Sequence, residues 1–188
     1  LEETWGGGAP VIFLGEWCRL YSRKSIWSGM DALVADPFGV EPEKKLRDIV
    51  YVDDLTNQIL TELSEAFNKY HMVQYSERYW NVLFGHWLKR YVRVAFNRYY
   101  TLDQALKNYT VLGTAIIKDD NYHLATPDSK GFVFACMDDR WNNIFYSRIM
   151  TFRGDVELNL TFVPPEKVSG IGDEKKGIYE LYEKSAGL

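Results

Sequence analysis

Charged and aromatic side chains follow the first apolar run of the chain without a gap. Residues 11–14 (VIFL) are continuously apolar, and Gly15 ends the run. The next side chains that carry a charge or a large ring include Glu16, Trp17, Arg19, Arg23 and Lys24. A carboxylate can act as a general base or orient a hydroxyl, arginine and lysine bind phosphate or carboxylate groups, and a Trp ring can stack on a sugar or a base. This set therefore suits a ligand that has hydroxyl and anionic groups.

The run 11–14 has the sequence of a buried parallel strand, bounded by proline and glycine. In open parallel sheets, ligands bind beyond the carboxyl ends of the strands. We therefore predict that Glu16 is catalytic and that the Trp17 ring and the three cations bind substrate. The alternative is structural, with Glu16 and Arg19 paired with each other to fix the loop.

Arg98 is a further candidate for substrate binding. It lies on the predicted helix 77–107 and projects at nearly the same angle as three aromatic residues, which places it on the apolar side. A buried guanidinium without a partner is costly. Arg98 is therefore expected either to bind an anion or to form an ion pair. The candidate partners for an ion pair are Asp53, Asp54 and Asp103.

Apolar periodicity assigns these residues to alternating strands and helices. Short apolar runs predict strands at residues 11–14, 33–36 and 109–117. Apolar residues at steps of three and four predict helices over about residues 43–70, 77–107 and 137–152. Because strand and helix alternate, we expect an α/β fold with an open, mostly parallel Rossmann-like sheet and long aromatic-rich helices.

Composition excludes several classes of protein. Of the 188 residues, 46% are hydrophobic and 26% are charged, so a sizeable core can be buried and overall disorder is excluded. The net charge of -4 argues against non-specific nucleic-acid binding. No metal is expected, because the sequence has no CxxC pair and no DxD motif. The pairs Asp53-Asp54 and Asp138-Asp139 stand alone on predicted helical stretches.

The sequence also predicts where in the cell the protein is located. No apolar run approaches the roughly 20 residues that span a bilayer, and residues 1–10 contain no Lys or Arg, so no signal peptide is visible. We expect a cytoplasmic protein. The predicted helix 77–107 has a basic side that consists of Arg78, His86, Lys89, Arg90 and Arg93. This side is either a solvated surface or a contact for anionic lipid headgroups at the inner face of the membrane.

Two motifs resemble a family of transferases that is encoded in bacterial O-antigen and surface-polysaccharide gene clusters. They are residues 13–24 (FLGEWCRLYSRK) and residues 78–88 (RYWNVLFGHWL), the second followed by residues 96–99 (FNRY). The lead-in LEETW at residues 1–5 is also similar, and the resemblance extends over about residues 1–150. Family members commonly carry Pro at the position of His86 and Asp at that of Asn97, so this chain departs from the pattern there.

The resemblance implies an enzyme longer than this chain. The later portion of family members looks like a glycosyltransferase with two Rossmann domains. Residues 1–155 would then be an N-terminal α/β domain that faces the acceptor, and residues 156–188 a connector toward a C-terminal domain that holds most of the donor site. This part alone would need no cofactor and would be inactive. The complete enzyme would use a nucleotide-sugar donor and a glycan or lipid-linked acceptor.

Two other functions remain open from the sequence. One is a non-catalytic module that binds a glycan or docks a partner enzyme. The other is a transferase of another group, with a phosphate- or sulfate-containing donor. Nucleic acid is not an expected partner in any of the three.

Overall fold

In the computed structural model of the protein, residues 9–117, 124–154 and 159–163 are described. The chain divides into two compact units. The helical unit is Asp36–Lys107, and the sheet-containing unit is formed by the segments that end at Ala35 and begin at Asn108. The sheet-containing unit is therefore discontinuous in sequence.

The sheet-containing unit has two pairs of parallel strands. Strands β1 (Val11–Phe13) and β2 (Ala32–Val34) form one pair, and β3 (Gly113–Ile117) and β4 (Asn159–Val163) form the other. These pairs are the only sheets within the described residues. The predicted open Rossmann-like sheet is therefore wrong: most of the described residues are helical, and each sheet has two short strands. The short apolar runs do form strands, but they pair two by two.

Three helices belong to the same unit. They are α1 (Lys24–Trp27), α5 (Ser129–Ala135) and α6 (Asp139–Arg153). Asp128 and Asp138 cap the last two, because each carboxylate accepts a hydrogen bond from the backbone N–H three residues later. Helix α6 packs against β3 through a small core in which Ile117 and Ile144 are fully buried beside Val163.

The helical unit has one long helix, followed by a second helical stretch that contains a π-helical segment. Helix α2 is Pro42–His71, with proline in its first turn as expected. After a short loop, α3 (Glu77–Trp80), a π-helical segment (Asn81–Gly85) and α4 (His86–Asn108) follow one another directly. Ser76 is the N-cap of α3, as the sequence predicts.

The core of the helical unit lies between α2 and α4. It consists of Val52, Leu60, Leu88 and Val92, with partly buried neighbours that include Phe84 and Phe96. The buried side of α2 also contains the hydroxyls of Thr56 and Ser64, which donate to the carbonyls of Val52 and Leu60 within the helix. A buried hydroxyl that is satisfied in this way adds little cost to the core.

The predicted connector, residues 156–188, lies mostly outside the described residues. Its described part, Asn159–Val163, is strand β4. The predicted boundary at residue 155 stays a prediction.

Candidate functional site

The segment after β1 is a series of tight helical turns. Glu16–Cys18 and Tyr21–Arg23 are each one turn of 3₁₀ helix, and α1 follows the second directly. The N–H of Cys18 donates to the carbonyl of Gly15 at 3.0 Å, and the N–H of Arg23 donates to that of Leu20 at 3.0 Å. The predicted site residues therefore lie on one continuous, hydrogen-bonded stretch, which we call the post-strand segment (residues 15–27).

Glu16 and Arg19 form a forked ion pair in this segment. Arg19 Nε donates to Glu16 Oε2 at 3.0 Å, and Nη2 donates to Oε1 at 2.6 Å and also to Oε2. The 3₁₀ turn produces this geometry, because residues three apart lie on the same side of it. The side chain of Glu16 is 70% exposed and that of Arg19 is 33% exposed. The pair that the sequence offers as a structural alternative is thus present, with its carboxylate open to solvent.

Trp17 lies on the same 3₁₀ turn as this ion pair. The side chain is 51% exposed. A Cβ at Gly15 would overlap the Trp17 ring, so the absence of a side chain at Gly15 lets the ring lie against the backbone at the end of β1. The turn thus exposes a ring that can stack on a sugar and a carboxylate that can bind hydroxyls.

Two cations of the segment lie over aromatic rings. The guanidinium carbon of Arg19 is 5.2 Å from the centroid of Trp27, and Lys24 Nζ is 5.9 Å from that of Tyr21. Trp27 is fixed in turn, because its Nε1 donates to the carbonyl of Leu20 at 2.8 Å. Sequence reasoning missed Trp27 and Tyr21 as parts of the site. A signal was available for Tyr21, which is three residues from Lys24, whereas Trp27 is eight residues from Arg19.

Cys18 and Arg23 are partly buried, as are Arg19 and Leu20 between them. Burial raises the pKa of the Cys18 thiol; hydrogen bonding by the backbone of Gly15 opposes this shift, and the negative charge of Asp139 adds to it.

The N-terminal end of α6 has an open depression with a volume of about 230 Å³. Its lining includes Asp138, Arg140 and Trp141. Asp138 is engaged as the helix cap, and Trp141 Nε1 donates to the carbonyl of Leu124 at 3.3 Å. Arg140 Nε is buried with no hydrogen-bond partner among the described residues. Sequence reasoning missed this depression, because it treated Asp138-Asp139 only as an isolated acidic pair.

Arg98 belongs to the helical unit and not to the sheet-containing unit. It is partly buried, and its Nη1 donates to Asn97 Oδ1 at 2.8 Å. Two of its predicted partners are engaged by other cations. Arg93 Nη2 and Lys89 Nζ lie 3.1 Å and 3.4 Å from Asp53 Oδ1, and Lys107 Nζ lies 2.7 Å from Asp103 Oδ2. The role of Arg98 in substrate binding stays a prediction.

Five of the six predicted site residues lie on the post-strand segment, in which they are also close in sequence. Within the part of the chain that the structure describes, no group of three His, Cys, Asp or Glu side chains converges on a metal position. Over the same residues, no helix is both long enough and apolar enough to span a membrane. The arrangement that remains is an exposed carboxylate, an exposed ring and several cations, which suits binding of a polar, hydroxyl-rich or anionic ligand.

Comparison with known families assigns a class to the chain. Residues 1–178 match a transferase family, described as the LIC12162 family transferase. The chain therefore belongs to the LIC12162 family of transferases. No curated protein and no solved structure matches it.

Proposed function

We propose that this chain is the acceptor-side part of a glycosyltransferase-like enzyme of bacterial surface-polysaccharide biosynthesis. Membership of a transferase family supports group transfer. The resemblance of residues 13–24 to enzymes of O-antigen gene clusters supports the pathway. In this proposal the enzyme is cytoplasmic, a nucleotide sugar is the donor, and a glycan or lipid-linked sugar is the acceptor. The donor binds to a further part of the enzyme.

The observation that carries the proposal is the exposed Trp17 ring on the same 3₁₀ turn as the Glu16–Arg19 ion pair. Sugars present an apolar C–H face and a rim of hydroxyls, so they are bound by a ring face flanked by charged hydrogen-bonding groups. Carboxylate and guanidinium groups also make stronger hydrogen bonds than neutral groups do. Lys24, exposed in the same segment, is available for an anionic group of the acceptor.

Glu16 is the proposed catalytic residue, and its geometry sets a condition on that role. Both carboxylate oxygens accept hydrogen bonds from Arg19. An acceptor hydroxyl must therefore compete with the guanidinium for one of the oxygens. We infer that Arg19 turns toward an anionic group of the substrate when the acceptor binds, which leaves Glu16 able to accept a proton from the attacking hydroxyl.

The binding step can be tested on this chain with acceptor-like oligosaccharides. Titration followed by calorimetry and by indole resonances in NMR should show binding to the wild type. Trp17→Ala should weaken that binding about tenfold, because a lost stacking contact costs of the order of 1 kcal/mol or more. Phe152→Ala is the matched control, since Phe152 is 91% exposed on α6. Equal binding by both variants would contradict the assignment of Trp17.

The transfer step is tested on the natural gene product with labelled nucleotide sugars. Glu16→Gln should lower kcat by at least about a hundredfold if the carboxylate is a general base. The same variant should leave acceptor binding within about a few-fold of wild type, because the amide retains one oxygen acceptor. Full activity of Glu16→Gln would remove Glu16 from the catalytic role.

The second candidate function is a non-catalytic glycan- or partner-binding module. The full engagement of Glu16 by Arg19 favours it, because a carboxylate in a two-pronged ion pair is held as a recognition element. The two functions differ in one result. In a module, Trp17→Ala abolishes binding while Glu16→Gln has no effect on transfer by the complete protein.

A further inference from the structure

The hairpin formed by α2 and the second helical stretch carries exposed apolar and aromatic side chains at its loop end. We call this surface the hairpin tip, and it consists of Tyr70, Met72, Tyr75, Tyr79, Val82 and Leu83. Met72 is 91% exposed, Tyr70 80% and Val82 79%. Helix α2 has 30 residues and is about 45 Å long at the helical rise, so the tip lies far from Asp36 and Lys107, where the helical unit begins and ends. An exposed apolar group of this size marks an interaction surface.

Ring contacts make the aromatic part of the tip continuous. Neighbouring ring centroids lie 4.2 to 6.1 Å apart in the order Tyr75, Tyr79, Trp80, His71 and Tyr70. Trp80 is the buried member of this series. Val82 and Leu83 follow Tyr79 by three and four residues, which places them next to it on the helix surface. The six side chains therefore form one patch.

The backbone at the tip is fixed by a single side chain. Asn68 Oδ1 accepts from the N–H of Tyr75 at 3.0 Å and from Trp80 Nε1 at 3.0 Å, and its Nδ2 donates to the carbonyl of Tyr75 at 2.9 Å. The exposed side chains are thus presented by an ordered loop. Little conformational entropy of the loop is lost when such a surface binds a partner.

The charged side chains of the tip are balanced in sign. Residues 65–83 contain two acidic and two basic residues, all of them exposed, namely Glu65, Glu77, Lys69 and Arg78. Thr61 Oγ1 donates to Glu77 at 2.7 Å. Among the described residues, none of the four forms an ion pair. A patch without net charge gives no electrostatic attraction to a polyanion or an anionic membrane, and it favours a protein surface of equally mixed charge.

The area of the tip suits a stable contact between proteins. A fully exposed aromatic side chain offers about 150–250 Å². At the exposed fractions of its six residues, the tip offers roughly 700–800 Å², and the four charged side chains add to this. A standard interface buries about 800 Å² on each partner. The tip is therefore large enough for a stable dimer.

We propose that the hairpin tip binds the hairpin tip of a second copy of the chain around a two-fold axis. In such a contact the same surface lies on both sides, so it must be complementary to itself. A tip with charges of one sign would repel its copy, whereas two acidic and two basic side chains can meet opposite charges across the axis. The apolar group becomes the buried centre and the charges become the rim, as is usual in interfaces. This inference goes beyond the proposed function, because it involves neither donor nor acceptor.

The test is sedimentation velocity of the chain at concentrations from roughly 1 to 100 μM, where we expect a reversible dimer. Val82→Ser with Leu83→Ser should raise the Kd of the dimer at least about a hundredfold, because each substituted residue is present twice in a two-fold interface. The matched control is Leu46→Ser with Val50→Ser. These residues are 66% and 62% exposed near the other end of α2, and their substitution should leave the Kd unchanged.

Exchange of charges tests the two-fold arrangement itself. Glu65→Lys with Glu77→Lys leaves only basic charges on the tip, and Lys69→Glu with Arg78→Glu leaves only acidic ones. Each variant alone should be monomeric over the same range, because like charges then lie across the axis. An equimolar mixture of the two variants should form the dimer again. The control Lys45→Glu with Arg47→Glu, at the other end of α2, should dimerise like the wild type.

The outcomes are compared for variants that circular dichroism shows to be folded. Loss of the dimer in the tip variants, its retention in both controls and its recovery in the mixture support the proposal. The proposal is overturned if the wild type is monomeric throughout the range, if tip and control variants dimerise alike, or if the mixture stays monomeric. The assay measures mass without any sugar, so its failure is distinguishable from failure of the proposed transfer.

Discussion

The side-chain amide of Asn143 is hydrogen-bonded to the backbone of Ile117, 26 residues earlier in the chain. Asn143 Oδ1 accepts from the N–H of Ile117 at 2.8 Å. Its Nδ2 donates to the carbonyl of Ala115 at 3.1 Å. One side chain of α6 therefore satisfies two backbone groups of β3, and it fixes the helix against the strand next to the buried pair Ile117 and Ile144.

Replacing Asn143 by Ala should destabilise the protein more than an ordinary surface substitution does. Two backbone groups of β3 would lose their partners, and each unsatisfied buried group costs about 1–3 kcal/mol. We expect the free energy of unfolding in denaturant to fall by about 2–4 kcal/mol. Phe152→Ala on the same helix should change it by less than about 0.5 kcal/mol. A similar change for both variants would show that the amide bridge has no special role.

Asn68 should be equally sensitive, since it supports the loop between α2 and α3. Ala at this position removes three hydrogen bonds, including the partner of the buried Trp80 ring nitrogen. We expect a loss of about 2–4 kcal/mol in the free energy of unfolding. The control Asn57→Ala is exposed on the same helix and should be nearly neutral. Thermal and denaturant unfolding followed by circular dichroism would check both.

Gly85 and Asn81 are predicted to be energetically coupled. A Cβ at Gly85 would overlap Oδ1 of Asn81 within the π-helical segment. Gly85→Ala alone should therefore destabilise by at most about 1 kcal/mol, because the exposed Asn81 side chain must leave its present rotamer. With Asn81→Ala also present, Gly85→Ala should become neutral or stabilise by up to about 1 kcal/mol, the usual helix preference of Ala over Gly. A double-mutant cycle measures the coupling, and additive effects would contradict it.

The ion pairs of Asp53 predict a pH dependence. The hydrogen bond from Arg93 lowers the pKa of Asp53 below its ordinary value of 3.8, and Lys89 contributes in the same direction. Because the folded pKa is the lower one, this contribution to stability is complete above 3.8 and is lost as the pH falls through the folded value. Arg93→Gln should raise the pKa of Asp53 in a carboxyl NMR titration, whereas Lys45→Gln should not. An unchanged pKa in Arg93→Gln would remove the ion pair as its cause.

The long helices were predictable from sequence and the sheet was not. The periodicity of residues 43–70 and Pro42 predict α2 to within one residue at each end. Periodicity does not show which residues of the apolar stripe are buried, however, since Leu46 and Ile49 continue the stripe and are exposed. The strands are short apolar runs whose partners lie far away in sequence, so local patterns find the strands but not their pairing. Helix α5 was missed, because its seven residues are too few to show a helical apolar period.

The residues of the candidate site could be predicted from the sequence, but the contacts between them could not. Residue types and a strand-end rule select Glu16, Trp17 and the cations that follow. The forked ion pair depends on a 3₁₀ turn, and the ring under Arg19 comes from Trp27, eight residues later. Such contacts depend on local backbone geometry that composition does not encode. The effect of the Asp139 charge on the pKa of Cys18 required the tertiary structure.

The insertion of the helical unit between the two parts of the sheet-containing unit has a consequence for biosynthesis. Residues 36–107 leave the ribosome as one uninterrupted stretch, whereas β1 and β2 emerge before β3, α6 and β4 exist. The interval between Val34 and Val163 is 129 residues, or roughly 6 to 26 s at 5–20 residues per second. During that time the helical unit can complete its core. Translation thus favours an order in which the inserted helices fold before the sheet-containing unit is complete.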